Sequence, residues 1–316
     1  GRFMSSHPPL AYFLLALWRI AGLWVNEWTI RALPALFGVF GSFSIFWLAR
    51  QFFNTRTALI AAFLIAVSPF HITHSQDLKE YIYLPVIASF MVGFFYRGFM
   101  HNRKRDWLMY GFLAGIGCYT EFFVAPLLVA INCWFLLFLP SHKACLKGWF
   151  LSNMLGAFLF LPWLSLTLHK VMTYMIKAEG WWVPWPSPLS ILYYFKTVAF
   201  GYAAVKPLFH IAFIVFAALT VYGICCAWRN NRQVALLLIL WAFMPVTMVY
   251  AISFVGQSIF LIRSLIPFSI AIYILVALAL NAIKLPMWRF CVFALVIALC
   301  GTGVGAHYLR ILHPNE

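Results

Sequence analysis

Long apolar runs alternate with short basic or polar breaks along the whole chain. Runs near 31–50, 57–73, 82–99, 147–168, 207–228, 234–254, 259–280 and 287–307 each reach the roughly 17–25 residues that cross a bilayer as a helix. The stretch 107–140 is too long for one crossing and breaks at Tyr119-Thr120-Glu121, so it predicts two short spans meeting there. The pattern predicts an all-α polytopic membrane protein with about ten transmembrane helices. The period-two alternation that a closed barrel needs is absent.

The breaks set a direction. Arg50/Arg56, Arg97/Arg103/Lys104/Arg105, Lys143/Lys147, Arg229/Arg232 and Lys284/Arg289 recur at every second loop, which marks those loops as cytoplasmic. The intervening segments, 74–81, the break at Glu121, 169–206, 255–263 and the C-terminus, are then expected outside. Asp106 is the one acid on the basic side; Glu27, Asp77, Glu80, Glu121, Glu179 and Glu316 lie on the other. This parity is kept only if 8–25 does not cross. Pro8 and Pro9 suit a helix start and Trp18, Trp24 and Trp28 suit an interface, so 8–25 is expected to be an outer juxtamembrane helix. Segment 169–206, with Trp181-Trp182-Val183-Pro184-Trp185-Pro186, is expected to be an interfacial outer loop, either a lid or an aromatic anchor.

Composition agrees. The 316 residues are 65% hydrophobic and 9% charged, with mean hydropathy +0.92, against about 25% charged in soluble domains. A net charge of +15 would suggest nucleic acid in a soluble protein. Here the cations punctuate spans and face anionic lipid instead, so no nucleic-acid partner is expected. The seven cysteines lack metal or redox spacing, and six lie in apolar runs, where they read as small packing residues. No internal repeat of the kind that builds inverted transporter halves is visible.

The candidate chemistry is concentrated in His71-Ile-Thr-His74-Ser-Gln76-Asp77-Leu-Lys79-Glu80-Tyr81, which holds two of the seven acids. Ionisable groups between spans are costly unless solvated, paired or functional. Two further outer groups share its side: His7-Pro8-Pro9-Leu10, and Arg263 within 260–268. Glu121 reads equally as a helix cap and as a site residue, and each histidine alone reads as an interfacial hydrogen-bonder.

Taken together, HPPLAYFLLALWRIAGLWVNEWTIRALPALFGVF (7–40), FLIAVSPFHITHSQDLKEYIY (63–83), GFLAGIGCYTEFF (111–123), FLFLPWL (158–164) and FLIRSLIPF (260–268) resemble the GT-C membrane glycosyltransferases. The likeness is to the protein-mannosyltransferase-like, RgtA/B/C/D-like group, of glycosyltransferase family 39 type. Asp77 takes the acidic place, Lys79 the arginine place and Tyr81 the tyrosine place of that family's SQE-x-R-x-Y stretch; Glu121 stands where histidine is frequent. The resemblance implies transfer of a sugar from a polyprenyl-phosphate carrier to a glycan, lipid or protein acceptor at the outer face. It implies catalytic roles for Asp77 and Glu121. His7, Lys79 and Arg263 would bind the donor phosphate, and His74, Gln76, Glu80 and Tyr81 would position substrates. No cofactor is certain; a divalent cation on Asp77 and His74 stays open.

The family's usual catalytic carboxylate lies upstream of HPPL, and residues 1–6 contain no acid. Either the chain is a fragment lacking the first span and first outer loop, and inactive as it stands, or Asp77 substitutes. A bacterial inner membrane with the site facing the periplasm fits the charge pattern. The competing readings are a transporter or flippase for a lipid-linked molecule, and a catalytically inactive family member.

Overall fold

The computed structural model describes residues 9–176, 183–202 and 206–312. Its helices run α1 Leu10–Ile20, α2 Glu27–Phe52, α3 Thr55–Val67, α4 Pro69–Ser75, α5 Tyr83–His101, α6 Lys104–Thr120, α7 Val124–Phe138, α8 Leu146–Ile176, α9 Ser190–Phe200, α10 Lys206–Asn230, α11 Arg232–Ile252, α12 Ser269–Ala282 and α13 Pro286–Leu312. No strand occurs among the described residues.

Among the described residues eight helices are long and apolar enough to cross a membrane, and the bent pair α3–α4 makes up to nine. Together with α6, at 17 residues, these are the ten runs read from the sequence. Polar side chains set several starts. Asn26 accepts the Thr29 N–H at 3.0 Å while Thr29 Oγ1 accepts the Asn26 N–H at 3.1 Å, a closed capping box for α2. Asn54 and Asn231 cap α3 and α11 by accepting main-chain N–H groups, from Thr57 and from Gln233 and Val234.

The first helix is 11 residues long, about 16 Å at 1.5 Å per residue, too short for a hydrocarbon core of about 30 Å. Its apolar residues Phe13 and Ile20 stay exposed. Trp18 Nε1 donates to Thr29 O at 2.8 Å, tying α1 to the start of α2. The segment 8–25, expected to be an outer juxtamembrane helix, thus holds a helix too short to cross.

Two spans form the centre. Glu80–His101 and Ile262–Ala282 are buried over 83% of their most apolar stretch, against 17–44% for the other six. The first is enclosed by α2 and α6, the second by α3, α10 and α11. Their N-terminal ends therefore meet inside the bundle. Between α6, α7 and α8 a polar network crosses the apolar interior: Tyr110 donates to Asn153 Oδ1 at 3.1 Å, Asn132 Nδ2 to the same oxygen at 3.2 Å, and Trp149 Nε1 to Asn132 Oδ1. Such bonds hold helices together where apolar contact gives little selectivity.

Two segments differ from the sequence reading. The run 57–73 is bent by 59° at Ser68 rather than straight. Segment 169–206, read as an outer loop, begins as the end of α8 and contains α9, whose Tyr194, Val198 and Phe200 are buried in the bundle. Apolar spacing marked α9 too weakly among its aromatics and prolines to separate a packed helix from an interfacial loop. Glu179, Trp181 and Trp182 lie outside the described residues.

Candidate active site

The bend at Ser68 builds the site. Ser68 leaves helical geometry (ψ 122°) and Pro69 starts α4, because a residue before proline avoids the helical region. The Ser68 hydroxyl then accepts the His71 N–H at 3.3 Å and lies 2.6 Å from Tyr273 Oη. Since Tyr273 donates to Val198 O at 2.8 Å, Ser68 is the donor in that pair. His71 Nε2 lies 2.9 Å from Ser269 Oγ, whose own proton goes to Ile266 O at 2.7 Å. These bonds lock α4 against α9 and α12. His71 is thereby a structural fastener, in line with the plainer of its two readings.

One turn further, α4 presents His74. Its side chain is 3% exposed; Nε2 lies 3.0 Å from Tyr202 Oη, and Nδ1 lies 3.3 Å from Asp77 Oδ2, at ion-pair range but outside hydrogen-bond geometry. Tyr202 is placed by Gly201, which has φ +79° and packs so closely that a Cβ there would stand 2.8 Å from Pro69 Cβ. Only glycine combines that backbone angle with that approach. The His74 imidazole holds the half-exposed Asp77 carboxyl below its ordinary value against the effect of partial burial, with Arg263 and Arg31 assisting. Burial pushes the Tyr202 phenol well up, so it stays protonated.

Arg263 comes from the 3-10 segment Ile262–Phe268 that precedes α12. Its guanidinium stands 5.2 Å from the centre of the buried Tyr81 ring, a cation–π pair. Its charge also reaches Asp77, Tyr202 and Glu121. Behind this arginine, Glu80 and Glu121 share a carboxyl–carboxyl hydrogen bond, and both are buried. Burial first, and then the neighbouring Glu80, pushes the Glu121 carboxyl up from its usual range. Burial thus favours the protonated form of the Glu121 carboxyl. Glu121 Oε2 has no hydrogen-bond partner among the described residues. The capping role is not used, because α7 has no side-chain cap.

Thus Asp77, His74, Tyr81, Glu80, Glu121 and Arg263 are brought together. Gln76 lies at the edge: its carbonyl accepts Arg31 Nη1 at 3.0 Å and its amide donates to Tyr308. Lys79 is exposed and makes no side-chain bond to the cluster. His7 lies outside the described residues. Tyr202, Tyr308 and the Arg31 contact escaped the sequence reading; each is an ordinary residue by composition, and only the packing of α9, α13 and α2 against α4 brings it near. Among the described residues no three His, Cys, Asp or Glu side chains gather at metal-ligating range; Asp77 and His74 are a pair without a third such ligand.

Comparison with known proteins adds the family. The model of the dolichyl-phosphate-mannose-protein mannosyltransferases matches residues 6–166, just over half of the chain. The fold is similar to that of ArnT from Cupriavidus metallidurans in its apo state, with TM-score 0.65 and 16% identity over 90% of this chain and 51% of that one. The same protein bound to undecaprenyl phosphate gives 0.66 and 16% over 93% and 53%. The Archaeoglobus fulgidus oligosaccharyltransferase tethered to an acceptor peptide gives 0.54 and 16% over 95% and 47%. The chain spans about half the length of these structures. No curated protein sequence matches it significantly. The chain belongs to the dolichyl-phosphate-mannose-protein mannosyltransferase family, among the GT-C membrane glycosyltransferases.

Proposed function

We propose that the protein transfers a sugar from a polyprenyl-phosphate carrier to a glycan, lipid or protein acceptor, with the Asp77 end of the bundle at the outer membrane face. One observation carries this reading: Arg263, fixed on Tyr81, faces the same small region as the His74–Asp77 pair at the end of an apolar bundle. Sugar transfer from a lipid phosphate needs that combination. The bond from the anomeric carbon to the phosphate oxygen breaks, and the electron pair leaves on the phosphate. A cation there stabilises the charge as it grows, and an arginine can hold two phosphate oxygens at once.

The acceptor hydroxyl forms the new bond and must lose its proton. Asp77 is ionised, half-exposed and aligned by His74, so it is the group able to take that proton. Glu121, buried and with its carboxyl pushed toward the protonated form, suits a positioning or proton-donating role behind the arginine. Lys79 and His7 would add positive charge at the entrance, where the lipid phosphate arrives. Gln76 and Tyr81 would fix the substrates. The undecaprenyl phosphate bound to ArnT and the acceptor peptide on the oligosaccharyltransferase support a donor and acceptors of these kinds. The chain would act as one transmembrane domain.

A flippase would require a polar route through the spans. The interior polar network does not supply one, since the Asn132 and Asn153 amides are spent on each other, on Tyr110 and on main-chain carbonyls.

The test is an assay of the full-length protein in proteoliposomes with radiolabelled polyprenyl-phosphate sugars and mixed acceptors. Label moving from lipid to acceptor supports the reading. Movement of the intact lipid across the bilayer with no transfer to any acceptor overturns it in favour of transport.

A further inference from the structure

The end of the bundle opposite Asp77 holds chemistry that sugar transfer does not use. Asp106, in the first turn of α6, is 1% exposed. A carboxylate so deep needs a charge partner, and Arg97 supplies it: Arg97 Nε lies 3.2 Å from Asp106 Oδ1. The contact uses Nε, and the two terminal nitrogens of Arg97 make no hydrogen bond with the described residues. Arg97 instead lines a cavity of about 260 Å³ together with Gln51, Tyr96 and His101. Arg97 is thus paired with a buried acid while its Cζ lies 6.0 Å from the centre of the Phe94 ring and its side chain lines the cavity, a setting in which a guanidinium can meet an external anion. Gln51 Oε1 is buried and has no hydrogen-bond partner among the described residues.

An aromatic ladder leads away from the cavity toward mid-membrane. Phe43, Trp47 and Gln51 repeat every four residues on α2 and so share one face; Phe90, Phe94 and Arg97, spaced four and then three residues apart, share one face on α5. The rings interlock, with Trp47 5.2 Å from Phe90 and 5.0 Å from Phe94, and Phe43 6.5 Å from Phe90. Phe43 and its neighbour Phe40 are exposed. The cavity lies at the last turns of two spans, the depth of lipid headgroups, and Arg50, Arg103, Lys104 and Arg105 surround it in the sequence. Its volume falls just under the few hundred cubic ångströms of ordinary small-molecule pockets, which suits a headgroup and not a whole lipid.

We infer that the α2–α5 groove binds one glycerophospholipid, its phosphodiester held by Arg97 and His101 and an acyl chain lying along the Phe43–Trp47–Phe90–Phe94 ladder. The site is separate from the donor site, and the inference does not depend on the transfer reaction.

Native mass spectrometry of the detergent-solubilised protein titrated with phosphatidylglycerol tests it. Arg97→Gln alone would strand Asp106, so the neutral pair Arg97→Gln/Asp106→Asn is used, with His101→Ala and Trp47→Ala as variants that leave the ion pair intact. Wild type should retain one lipid, and the neutral pair should lose roughly tenfold in retention, the scale of losing a charge-assisted hydrogen bond. His101→Ala and Trp47→Ala should each weaken retention by a smaller factor. Equal retention by wild type and the two single variants overturns the site, even if the neutral pair fails to fold. Displacement of the lipid by inorganic phosphate at equal concentration, with Trp47→Ala behaving as wild type, also overturns it by showing a free-anion site.

Discussion

The guanidinium of Arg263 lies 5.2 Å from the centre of the Tyr81 ring, joining a motif at the start of α5 to one at the start of α12. These are the N-terminal ends of the two most buried spans, so the backbone that carries the arginine is anchored in the core. A cation fixed in this way needs little reorganisation when charge develops beside it, which is the condition for electrostatic catalysis.

Arg263→Ala is therefore expected to lower sugar transfer by about two to three orders of magnitude, the usual effect of removing one charge-stabilising donor. Arg263→Lys keeps the charge but loses the planar fork, and should fall between the two. Initial rates with a saturating acceptor check this, with circular dichroism as the folding control. Wild-type rates in Arg263→Ala would remove it from the site.

Asp77→Asn keeps the shape of the side chain and cannot accept a proton. Transfer should drop about 10²- to 10⁴-fold, the range for a lost general base, with donor-lipid binding unchanged. Binding measured by lipid displacement, beside turnover, separates the two. A loss in binding alone would assign Asp77 to substrate holding.

Tyr202→Phe removes the hydroxyl that lies 3.0 Å from His74 Nε2 and leaves the ring in place. His74 then loses one of its two anchors and Asp77 its alignment. The expected result is about a tenfold lower kcat with little change in KM, and an acidic limb of the pH–rate profile that moves. An unchanged profile with lower protein yield would make the contact merely structural.

The two carboxyls respond to pH in opposite directions. Glu121 is raised by burial, so its contribution to stability is complete below the ordinary carboxyl value, about 4.3, and is lost as pH rises through its folded value. Glu121→Gln is neutral throughout, so its Tm should gain on wild type as pH rises. Asp77 is held low, so its contribution is present above its ordinary value and lost as pH falls; its half-exposure keeps this effect small. A Tm difference for Glu121→Gln that is flat from pH 4 to 9 contradicts the burial effect.

Gly201→Ala should destabilise the fold by about 1–3 kcal/mol, since the new Cβ meets Pro69 at 2.8 Å in a backbone region that L-residues avoid. The same change displaces Tyr202, so activity should fall further than stability alone explains. Thermal melts and rates measured on one preparation show whether the two losses separate.

Much of this was legible in the chain. The ten apolar runs, the short first helix and the shared end of 74–81, Glu121 and Arg263 all follow from where apolar residues stop and cations recur. A bilayer forces that legibility: every spanning backbone must close its own hydrogen bonds, so span length and loop charge are written locally. The bend at Ser68 was not read, although Ser-Pro marks it, because an apolar run continues through it. The helix α9 was hidden by the aromatic and proline residues around it.

The sequence by itself determined the membrane class, the number of runs and the residue types from which a phosphate and a hydroxyl proton could be handled. Tertiary structure alone decided which of them meet. It put Tyr202 on His74, paired Glu80 with Glu121, left Lys79 at the surface and turned Arg97 toward a cavity on a buried Asp106. The physical reason is range. Hydrophobic periodicity is a property of neighbouring residues, whereas a pairing between α4 and the segment after α9, or between α5 and α6, depends on how whole helices pack, and small residues such as Gly201 set that packing by what they leave empty.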